Sequence, residues 1–131
     1  MPVEYQIDHD QRLVKARAFG VVTVQDFIAY QREVWSRKDV IGYDELLDAS
    51  QVQEALDMTG AKLQDIAMLA SSMDVTKAIT KFAIVVSKDF SYGLGRMYET
   101  YRGLQKGNTK QVAVFRSVKD ALAWIHEIEL L

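Results

Sequence analysis

The chain of 131 residues contains no cysteine, which excludes disulfide bonds and thiolate-ligated zinc or iron–sulfur sites. Long hydrophobic runs are absent as well. The apolar stretch at residues 83–86 is far shorter than the roughly 20 residues that a membrane-spanning helix requires. The first residues carry no basic segment followed by an apolar one, so we expect no signal peptide. These absences make a cytoplasmic protein without a transmembrane segment the default expectation.

The sequence also lacks an excess of charge of either sign. It has 16 basic and 18 acidic residues, and the net charge of −2 gives no general attraction to nucleic acids or anionic membranes. The basic residues are scattered and are not interleaved with aromatic residues, so we expect no nucleic-acid partner. What is present suits one compact domain over residues 1–131, because 49% of the residues are hydrophobic and domains commonly have about 100–150 residues.

Hydrophobic periodicity predicts the element order ββαβαβαβα. Strands are expected at residues 3–7, 13–19, 43–49, 81–87 and 111–116. Helices are expected from Thr23 to about residue 39, over 63–73, from about 91 to 105, and after Ser117. Thr23 with Asp26, and Ser117 with Asp120, have the spacing of a capping box. Because helices that join strands favour parallel crossovers, this order predicts an α/β fold with a five-stranded mixed sheet, four main helices and a polar connection over residues 50–60.

Several stretches resemble parts of one known fold. Residues 19–23 (Phe-Gly-Val-Val-Thr) resemble the strand-to-helix entry of the SpoIIAA-like family of the STAS and SEC14-type superfamily. Residues 91–98 are similar to the start of its third helix, and residues 112–116 with 120–125 are similar to the C-terminal strand and helix of a bacterial subgroup. The resemblance covers essentially the whole chain. It implies a single SpoIIAA-like domain, whereas the activity has to be argued from individual sites.

One turn suggests a regulatory function. Asp57-Met58-Thr59-Gly60 resembles the Asp-Ser-Ser/Thr-Gly turn in which anti-sigma-factor antagonists of the STAS family are phosphorylated. The resemblance places Thr59 at the acceptor position, beside Asp57 and Gly60, and implies a protein kinase or an anti-sigma-like protein as partner. Met58 departs from the family pattern, which has a small hydroxyl residue there. The residues also allow a simpler interpretation, in which Thr59 only caps the second helix.

A second set of residues suggests a ligand-binding groove. Met97, Tyr98 and Tyr101 form an apolar stripe on the third predicted helix, and such a stripe is commonly part of the core. In a chain related to SEC14-type lipid-binding domains, the same stripe with Trp35 would line an apolar groove, in which the tyrosines supply polar groups. Arg96 is the cation best placed beside an anionic ligand on this helix.

No catalytic or metal-binding pattern stands out. Asp8-His9-Asp10 lies in a predicted hairpin turn, where adjacent side chains seldom converge on one ion, so a solvated turn is expected. Carboxylates such as Glu45 and Asp48 are expected to be ordinary solvated charges at a strand end. There is neither a cysteine nucleophile nor a Gly-x-Ser-x-Gly motif. The sequence therefore predicts no enzyme and no cofactor.

The predicted function is a non-enzymatic cytoplasmic interaction module acting in signalling or a stress response, and the resemblance implies a sharper form in which phosphorylation of Thr59 controls partner binding. The alternative prediction is a small domain that binds an apolar or lipid-like ligand. Tyr5 and Phe19 are expected on an open edge or face of the sheet, and an uncovered edge invites pairing with a second copy, so a homodimer is also predicted.

Overall fold

A sheet whose strands follow one another in chain order organises the computed structural model, which describes residues 2–74, 79–105 and 109–127. The strands are β1 (Val3–Asp8), β2 (Leu13–Thr23), β3 (Asp44–Leu56), β4 (Thr80–Val85) and β5 (Lys110–Phe115). The helices are α1 (Val24–Trp35), α2 (Gly60–Ser72), α3 (Asp89–Leu104) and α4 (Val118–Ile125), with a 3₁₀ turn at Lys38–Val40. Within the described ranges, no helix is long and apolar enough to cross a membrane.

The first strand pair is antiparallel and the other three are parallel. In β1 and β2, Val3 lies opposite Ala18. Between β3 and β4, Glu45 lies opposite Phe82, which in turn lies opposite Val112 of β5. A hairpin explains the antiparallel pair, whereas each parallel pair is joined through a helix, as crossover connections require. The predicted mixed sheet and its element order are confirmed.

Helices cover both faces of the sheet, but unequally. Phe82, Ile84 and Val86 face a large apolar cluster beneath α1, α2 and α3. The alternate residues Ala83 and Val85 face a smaller cluster that α4 closes on the opposite side. Successive side chains of a strand point to opposite faces, so a strand covered on both sides is apolar throughout. This explains the continuous apolar run from which β4 was predicted.

The capping signals position α1 and α4 as expected. The backbone N–H of Thr23 donates to Asp26 Oδ2 at 2.8 Å, and Thr23 Oγ1 accepts from the Asp26 N–H at 3.3 Å, which completes a capping box. Ser117 Oγ accepts from the Asp120 N–H at 3.1 Å. Local side chains thus satisfy N–H groups at both helix starts, as capping requires.

Three predicted boundaries were wrong. Strand β2 continues to Thr23 and β3 to Leu56, because the two strands keep pairing beyond the point where β4 leaves β3 at Asp48. Residues 50–56, which were expected to belong to a polar connection, are therefore strand and not a loop. Register shifts interrupt this extension, and Gly20 lies there with a φ of +68°, a conformation that suits glycine. The first helix ends at Trp35, earlier than predicted, and the 3₁₀ turn follows.

The sheet edge from which a homodimer was predicted is partly covered by other residues of the same chain. Tyr5 on the edge strand β1 packs against the large cluster, and its hydroxyl lies 3.4 Å from Glu33 Oε1 of α1. Phe19 carries the Arg17 guanidinium 4.7 Å above its ring centre. A positive side chain on an exposed sheet position discourages sheet-to-sheet association. The homodimer stays a prediction.

Candidate functional site

An apolar cavity of about 120 Å³ lies between the helical layer and the sheet. Its walls come from α1, α2, α3 and the facing sides of β3 and β4, and they include Phe27, Leu63, Ile66, Leu47 and Ile84. The cavity extends along the carboxyl-terminal halves of β3 and β4. In open α/β sheets, ligands commonly bind at this end of the strands.

Small residues create this space. Ala49 and Ala55 of β3 and Gly95 of α3 line the cavity. A Cβ atom on Gly95 would lie only 3.0 Å from a methyl group of Val114, so glycine at this position lets α3 approach β5 closely. The helix is held against the sheet at that point, while the alanines on β3 leave volume unfilled. Protein interiors contain few such voids, so one of this size is a candidate site.

The cavity reaches the surface at one end. Phe27, Ala55 and Met58 line it and are partly exposed, whereas Val22 and Leu63 in its walls are buried. We call Phe27, Ala55 and Met58 the mouth residues. Met58 belongs to the turn that joins β3 to α2. The turn singled out by the sequence therefore forms part of the entrance to the cavity.

The inner end of the cavity adjoins a buried polar cluster of Tyr30, Trp35, Glu45 and Lys110, which we call the Glu45 cluster. Glu45 Oε2 accepts from the Tyr30 hydroxyl at 2.5 Å and from Trp35 Nε1 at 3.2 Å. Lys110 Nζ donates to Glu45 Oε1 at 3.2 Å and lies 3.5 Å from the centre of the Trp35 ring. Every charge here has a partner, as burial demands. The expectation that Glu45 is a solvated charge was wrong, since Glu45 is 1% exposed.

Burial also fixes the protonation of two tyrosines. Desolvation, followed by the negative charge of Glu45, raises the pKa of Tyr30 well above its usual value of 10.0. Desolvation raises the pKa of Tyr98 as well, and the positive charge of Arg102 offsets this only in part. Both phenols are therefore neutral hydrogen-bond donors at physiological pH. Tyr30 and Tyr98 both border the cavity, so its inner end carries phenol groups.

A second buried ion pair joins α2 to α3. Arg102 Nη2 lies 3.1 Å from Asp74 Oδ1, and Arg102 Nη1 donates to Ser71 Oγ at 2.7 Å. Both charged side chains are almost completely buried. Among the described residues, Asp74 Oδ2 and Arg102 Nε have no hydrogen-bond partner. This pair fastens the carboxyl end of α2 to α3.

The structure separates the residues that were predicted to form one groove. Tyr98 is buried with its ring edge against Phe82, at a centroid distance of 6.2 Å, and it lines the cavity. Arg96 and Met97 point outward, and Arg96 Nη1 pairs with Glu99 at 3.3 Å. Helical geometry explains this, because consecutive residues face different directions.

The other two predicted groove residues lie elsewhere. Tyr101 is partly buried between α3 and α2, and its hydroxyl would lie 3.3 Å from a Cβ atom on Gly60. Trp35 belongs to the Glu45 cluster and borders a separate pocket of about 40 Å³. The predicted groove therefore contributes Tyr98 alone, of its five residues, to the cavity walls.

Sequence reasoning missed the residues that α1 contributes to the cavity. Phe27 and Gln31 line it, and Val34 continues the same helical face toward the core. Their spacing of four and then three residues is that of one helix face. Gln31 therefore occupies a position where the pattern calls for an apolar residue, and it is only 8% exposed. The signal available in the sequence was an amide side chain at a position of an otherwise apolar helix face.

Thr59 caps α2. Its side chain accepts from the Lys62 N–H at 3.2 Å, and its own N–H donates to the Asp57 carbonyl at 2.9 Å. Asp57 has a φ of +61°, in the left-handed region that Asp tolerates better than most residues. Gly60 opens the helix, close to Tyr101. Thr59 is exposed, so its hydroxyl is both a cap and a group that solvent can reach.

The hairpin turn that contains Asp8, His9 and Asp10 was expected to be solvated. Among the residues the structure describes, no group of three or more His, Asp or Glu side chains could hold a metal ion. His9 Nδ1 lies 2.6 Å from the Tyr43 hydroxyl, and its ring packs edge-on against the Tyr43 ring at a centroid distance of 5.6 Å. The histidine therefore anchors the hairpin to the segment that precedes β3.

Comparison with known proteins identifies the fold. No protein-family model matches the chain, and no curated protein matches it significantly. Among solved structures, the chain is similar to the crystal structure of an uncharacterized protein of the DUF3478 family with a SpoIIAA-like fold, from Shewanella loihica PV-4. The two share 14% sequence identity and a TM-score of 0.61, over 94% of this chain and 93% of that chain. This chain has a SpoIIAA-like fold.

The SpoIIAA-like fold confirms the sequence resemblance at the level of architecture. In this SpoIIAA-like chain, the turn that contains Asp57 and Thr59 joins β3 to α2 and borders the cavity mouth through Met58. At 14% identity the likeness extends to the fold alone. The function of this SpoIIAA-like domain therefore has to be argued from its own cavity and its own turn.

Proposed function

We propose that the protein is a non-enzymatic module that binds a small, largely apolar molecule in the cavity beneath α1, α2 and α3. The observation that carries the proposal is the cavity itself, with about 120 Å³ of space and an almost entirely apolar lining. An engineered apolar cavity of about 150 Å³ in another protein stays dry and binds benzene. A single ring or a short alkyl chain is thus the size of molecule that this cavity takes.

The mouth residues allow ligands that are longer than the cavity. A chain that fills the enclosed space can continue past Phe27, Ala55 and Met58, because these residues are partly exposed. Transfer of apolar surface from water contributes about 25 cal/mol per Å², which makes the fit of the apolar part the main source of affinity. The lipid-like ligand predicted from the sequence is therefore supported in a form in which a short apolar segment is enclosed and the remainder lies outside.

A cavity-filling variant tests this function. Ala49 lines the cavity, and Ala49→Leu places a branched side chain in the space that a ligand would occupy. Isothermal titration with toluene should show saturable binding to the wild type and at least about a tenfold loss of affinity in Ala49→Leu, which corresponds to 1.4 kcal/mol. The matched control is Ala123→Leu, because Ala123 is exposed on α4, across the sheet. It should bind toluene like the wild type.

Two results would contradict the proposed function. Toluene binding that is equal in the wild type and Ala49→Leu would place the ligand outside the cavity. An absence of saturable binding to the folded wild type, for toluene and for longer alkylbenzenes alike, would show that the cavity takes no apolar ligand. Circular dichroism of each variant establishes that the comparison is made between folded proteins.

A second candidate is a phosphorylation-controlled interaction module with Thr59 as acceptor. The observation that favours it is the exposed Thr59 hydroxyl at the first turn of α2. A phosphate there would lie near the free N–H groups and the positive end of the helix dipole. It would add about −1.5 to −2 charges beside the cavity mouth and alter any partner surface. A kinase and an anti-sigma-like partner are what the resemblance implies, and both stay predictions, as does the cytoplasmic location expected from the sequence.

Mass spectrometry of protein isolated from its own cells tests this candidate. We expect a phosphoryl group on Thr59 that is lost in Thr59→Ala and kept as phosphoserine in Thr59→Ser, which retains both cap and acceptor. Thr100 is an exposed threonine within α3 and serves as the control position, where Thr100→Ala should change nothing. An unmodified Thr59, together with equal partner capture by the wild type and Thr59→Ala, would refute the switch.

A further inference from the structure

Four polar side chains, those of Tyr30, Gln31, Ser91 and Tyr98, interrupt the apolar lining of the cavity. Gln31 of α1 and Tyr98 of α3 border it and are 8% and 7% exposed. Within the described part of the chain, neither the Gln31 amide nor the Tyr98 hydroxyl makes a side-chain hydrogen bond. Buried polar groups in folded proteins nearly always have a partner, so each exception requires an explanation.

These groups are not sealed inside the core. In the described residues, the fully enclosed side-chain atoms without a partner are Asp74 Oδ2 and Arg102 Nε. The Tyr98 hydroxyl and the Gln31 amide are not among them, so each keeps an accessible side. The space that Tyr98 borders is the cavity, and Gln31 borders both the cavity and the adjoining pocket of about 40 Å³. Gln31 and Tyr98 are therefore buried lining residues whose side-chain polar groups have no partner within the described part of the chain.

The third polar group at this end is already engaged. Tyr30 lines the cavity, but its hydroxyl donates to Glu45 at 2.5 Å. The lining thus combines the buried polar residues Gln31 and Tyr98 with the apolar, partly exposed mouth residues Phe27, Ala55 and Met58. Such a division suits a ligand with an apolar part and one hydrogen-bonding group.

The charges around the inner end select an uncharged ligand. The buried cations Lys110 and Arg102 are each held in an ion pair, with Glu45 and Asp74 respectively. A ligand carboxylate at this end would lose its hydration beside Glu45 and meet cations that already neutralise other groups. An uncharged oxygen needs only a donor. Burial raises the pKa of Tyr98, so the phenol keeps the proton that such a donor requires.

We propose that the cavity binds an uncharged amphipathic molecule, an alcohol, aldehyde or ketone, whose oxygen accepts a hydrogen bond from Tyr98 and contacts the Gln31 amide. The apolar part of this ligand lies toward Phe27 and Met58. This inference rests on the proposed binding function and adds the chemical class of the ligand and the residues that recognise it.

Three ligands with the same ring test the inference by titration calorimetry, namely toluene, benzyl alcohol and benzoate. We expect Tyr98→Phe to weaken the binding of benzyl alcohol about fivefold, the effect of one lost hydrogen bond, and to leave toluene binding unchanged within about twofold. Benzoate should bind the wild type more weakly than benzyl alcohol. Tyr101→Phe is the matched control on the same helix, because Tyr101 does not line the cavity, and it should bind all three like the wild type.

The outcomes separate this inference from the proposed function. Saturable toluene binding with the same benzyl alcohol affinity in the wild type and Tyr98→Phe would leave the cavity function standing and overturn the role of Tyr98. Benzoate that binds as tightly as benzyl alcohol would overturn the preference for an uncharged group. If neither toluene nor benzyl alcohol binds the wild type, both proposals are wrong.

A second variant keeps the test valid if Tyr98→Phe does not fold. Gln31→Leu removes the amide while keeping a side chain of similar length on α1. It should weaken benzyl alcohol binding relative to toluene binding, as measured by the ratio of the two affinities. An unchanged ratio in this folded variant would overturn the recognition of the ligand oxygen at the inner end.

Discussion

Glu45 carries its carboxylate into the interior at the start of β3, where it contacts two aromatic donors and Lys110. In a buried ion pair, the electrostatic attraction between the two charges is largely offset by the free energy of removing both from water. Its net contribution to stability is therefore small compared with the cost of removing one partner, because the remaining charge would stay buried. The Glu45 cluster consequently makes the positions of α1, β3 and β5 interdependent.

Replacing Lys110 measures this dependence. Lys110→Met should lower the free energy of unfolding by about 3–5 kcal/mol, because Glu45 keeps its burial and loses its cation. Urea unfolding at neutral pH provides the measurement. Arg17→Met is the matched control, since the Arg17 pair with Glu4 is exposed and such pairs contribute about 0–1 kcal/mol. A loss in Lys110→Met no larger than that in Arg17→Met would show that the buried pair is not maintained in solution.

At the same scale, aromatic residues were recognised from the sequence more readily than buried charges. Tyr98 was predicted to be either core or ligand-binding, and it lines the cavity. Glu45 was expected to be solvated, because its surroundings are formed by Lys110 and Trp35, which are distant in sequence. Local patterns report a residue's own preference, whereas the partners of a buried charge are supplied by tertiary contacts. That distinction explains which site residues were found and which were missed.

The order and type of the helices and strands could be predicted from hydrophobic periodicity, whereas the ends of β2 and β3 could not. Residues 50–56 mix polar residues with Val52, Ala55 and Leu56 without regular alternation, so the pattern gave no sign of a strand. They are strand because β2 continues beside them, with Val21 opposite Glu54 and Thr23 opposite Leu56. The hydrogen bonds that make this segment a strand come from β2, which is distant in sequence. A pattern within residues 50–56 therefore cannot reveal them. The cavity lies against this extension through Val52 and Ala55, so its shape could not be predicted either.

Helix starts were predicted more successfully than helix faces. The box of Thr23 and Asp26 and the cap at Ser117 depend on residues close together in sequence, and both are observed. The face of α3 was predicted as one stripe, yet Met97 points outward while Tyr98 points inward. Adjacent residues on a helix are separated by about 100° around its axis. Met97 and Tyr98 therefore cannot both face the sheet.

For the molecule as a whole, the buried tyrosines predict sensitivity to alkaline pH. The folded protein holds the protons of Tyr30 and Tyr98 more tightly than the unfolded chain, in which the pKa is near 10.0. Stability should therefore be independent of these groups below about pH 10 and fall as the pH rises above it, by up to about 1.4 kcal/mol per pH unit for each group. The unfolded chain gains free energy by ionising, and the folded protein does not.

Urea unfolding of the wild type and Tyr98→Phe on both sides of pH 10 checks this expectation. Tyr98→Phe should show a shallower loss of stability with pH, because one of the two coupled protons has been removed. Tyrosinate absorbance recorded during the same titration should reach its full value only as the protein unfolds, because Tyr30 and Tyr98 keep their protons in the folded state. The same pH dependence in both proteins would mean that Tyr98 ionises without unfolding.

The order of the strands has a consequence for how the chain reaches its native state. Among the strands of the described residues, only β1 and β2 pair as neighbours in sequence, whereas β2–β3, β3–β4 and β4–β5 each enclose an intervening helix. Every parallel pair therefore requires closure of a long loop before its contacts form, which raises the contact order and slows folding. During synthesis, the β1–β2 hairpin can form as soon as both strands have emerged. The other edge of β2 stays unpaired until β3 has been synthesised. The topology therefore requires a period in which one edge of β2 is unpaired. The positive charges of Lys15 and Arg17 on that strand disfavour association with another chain during this period.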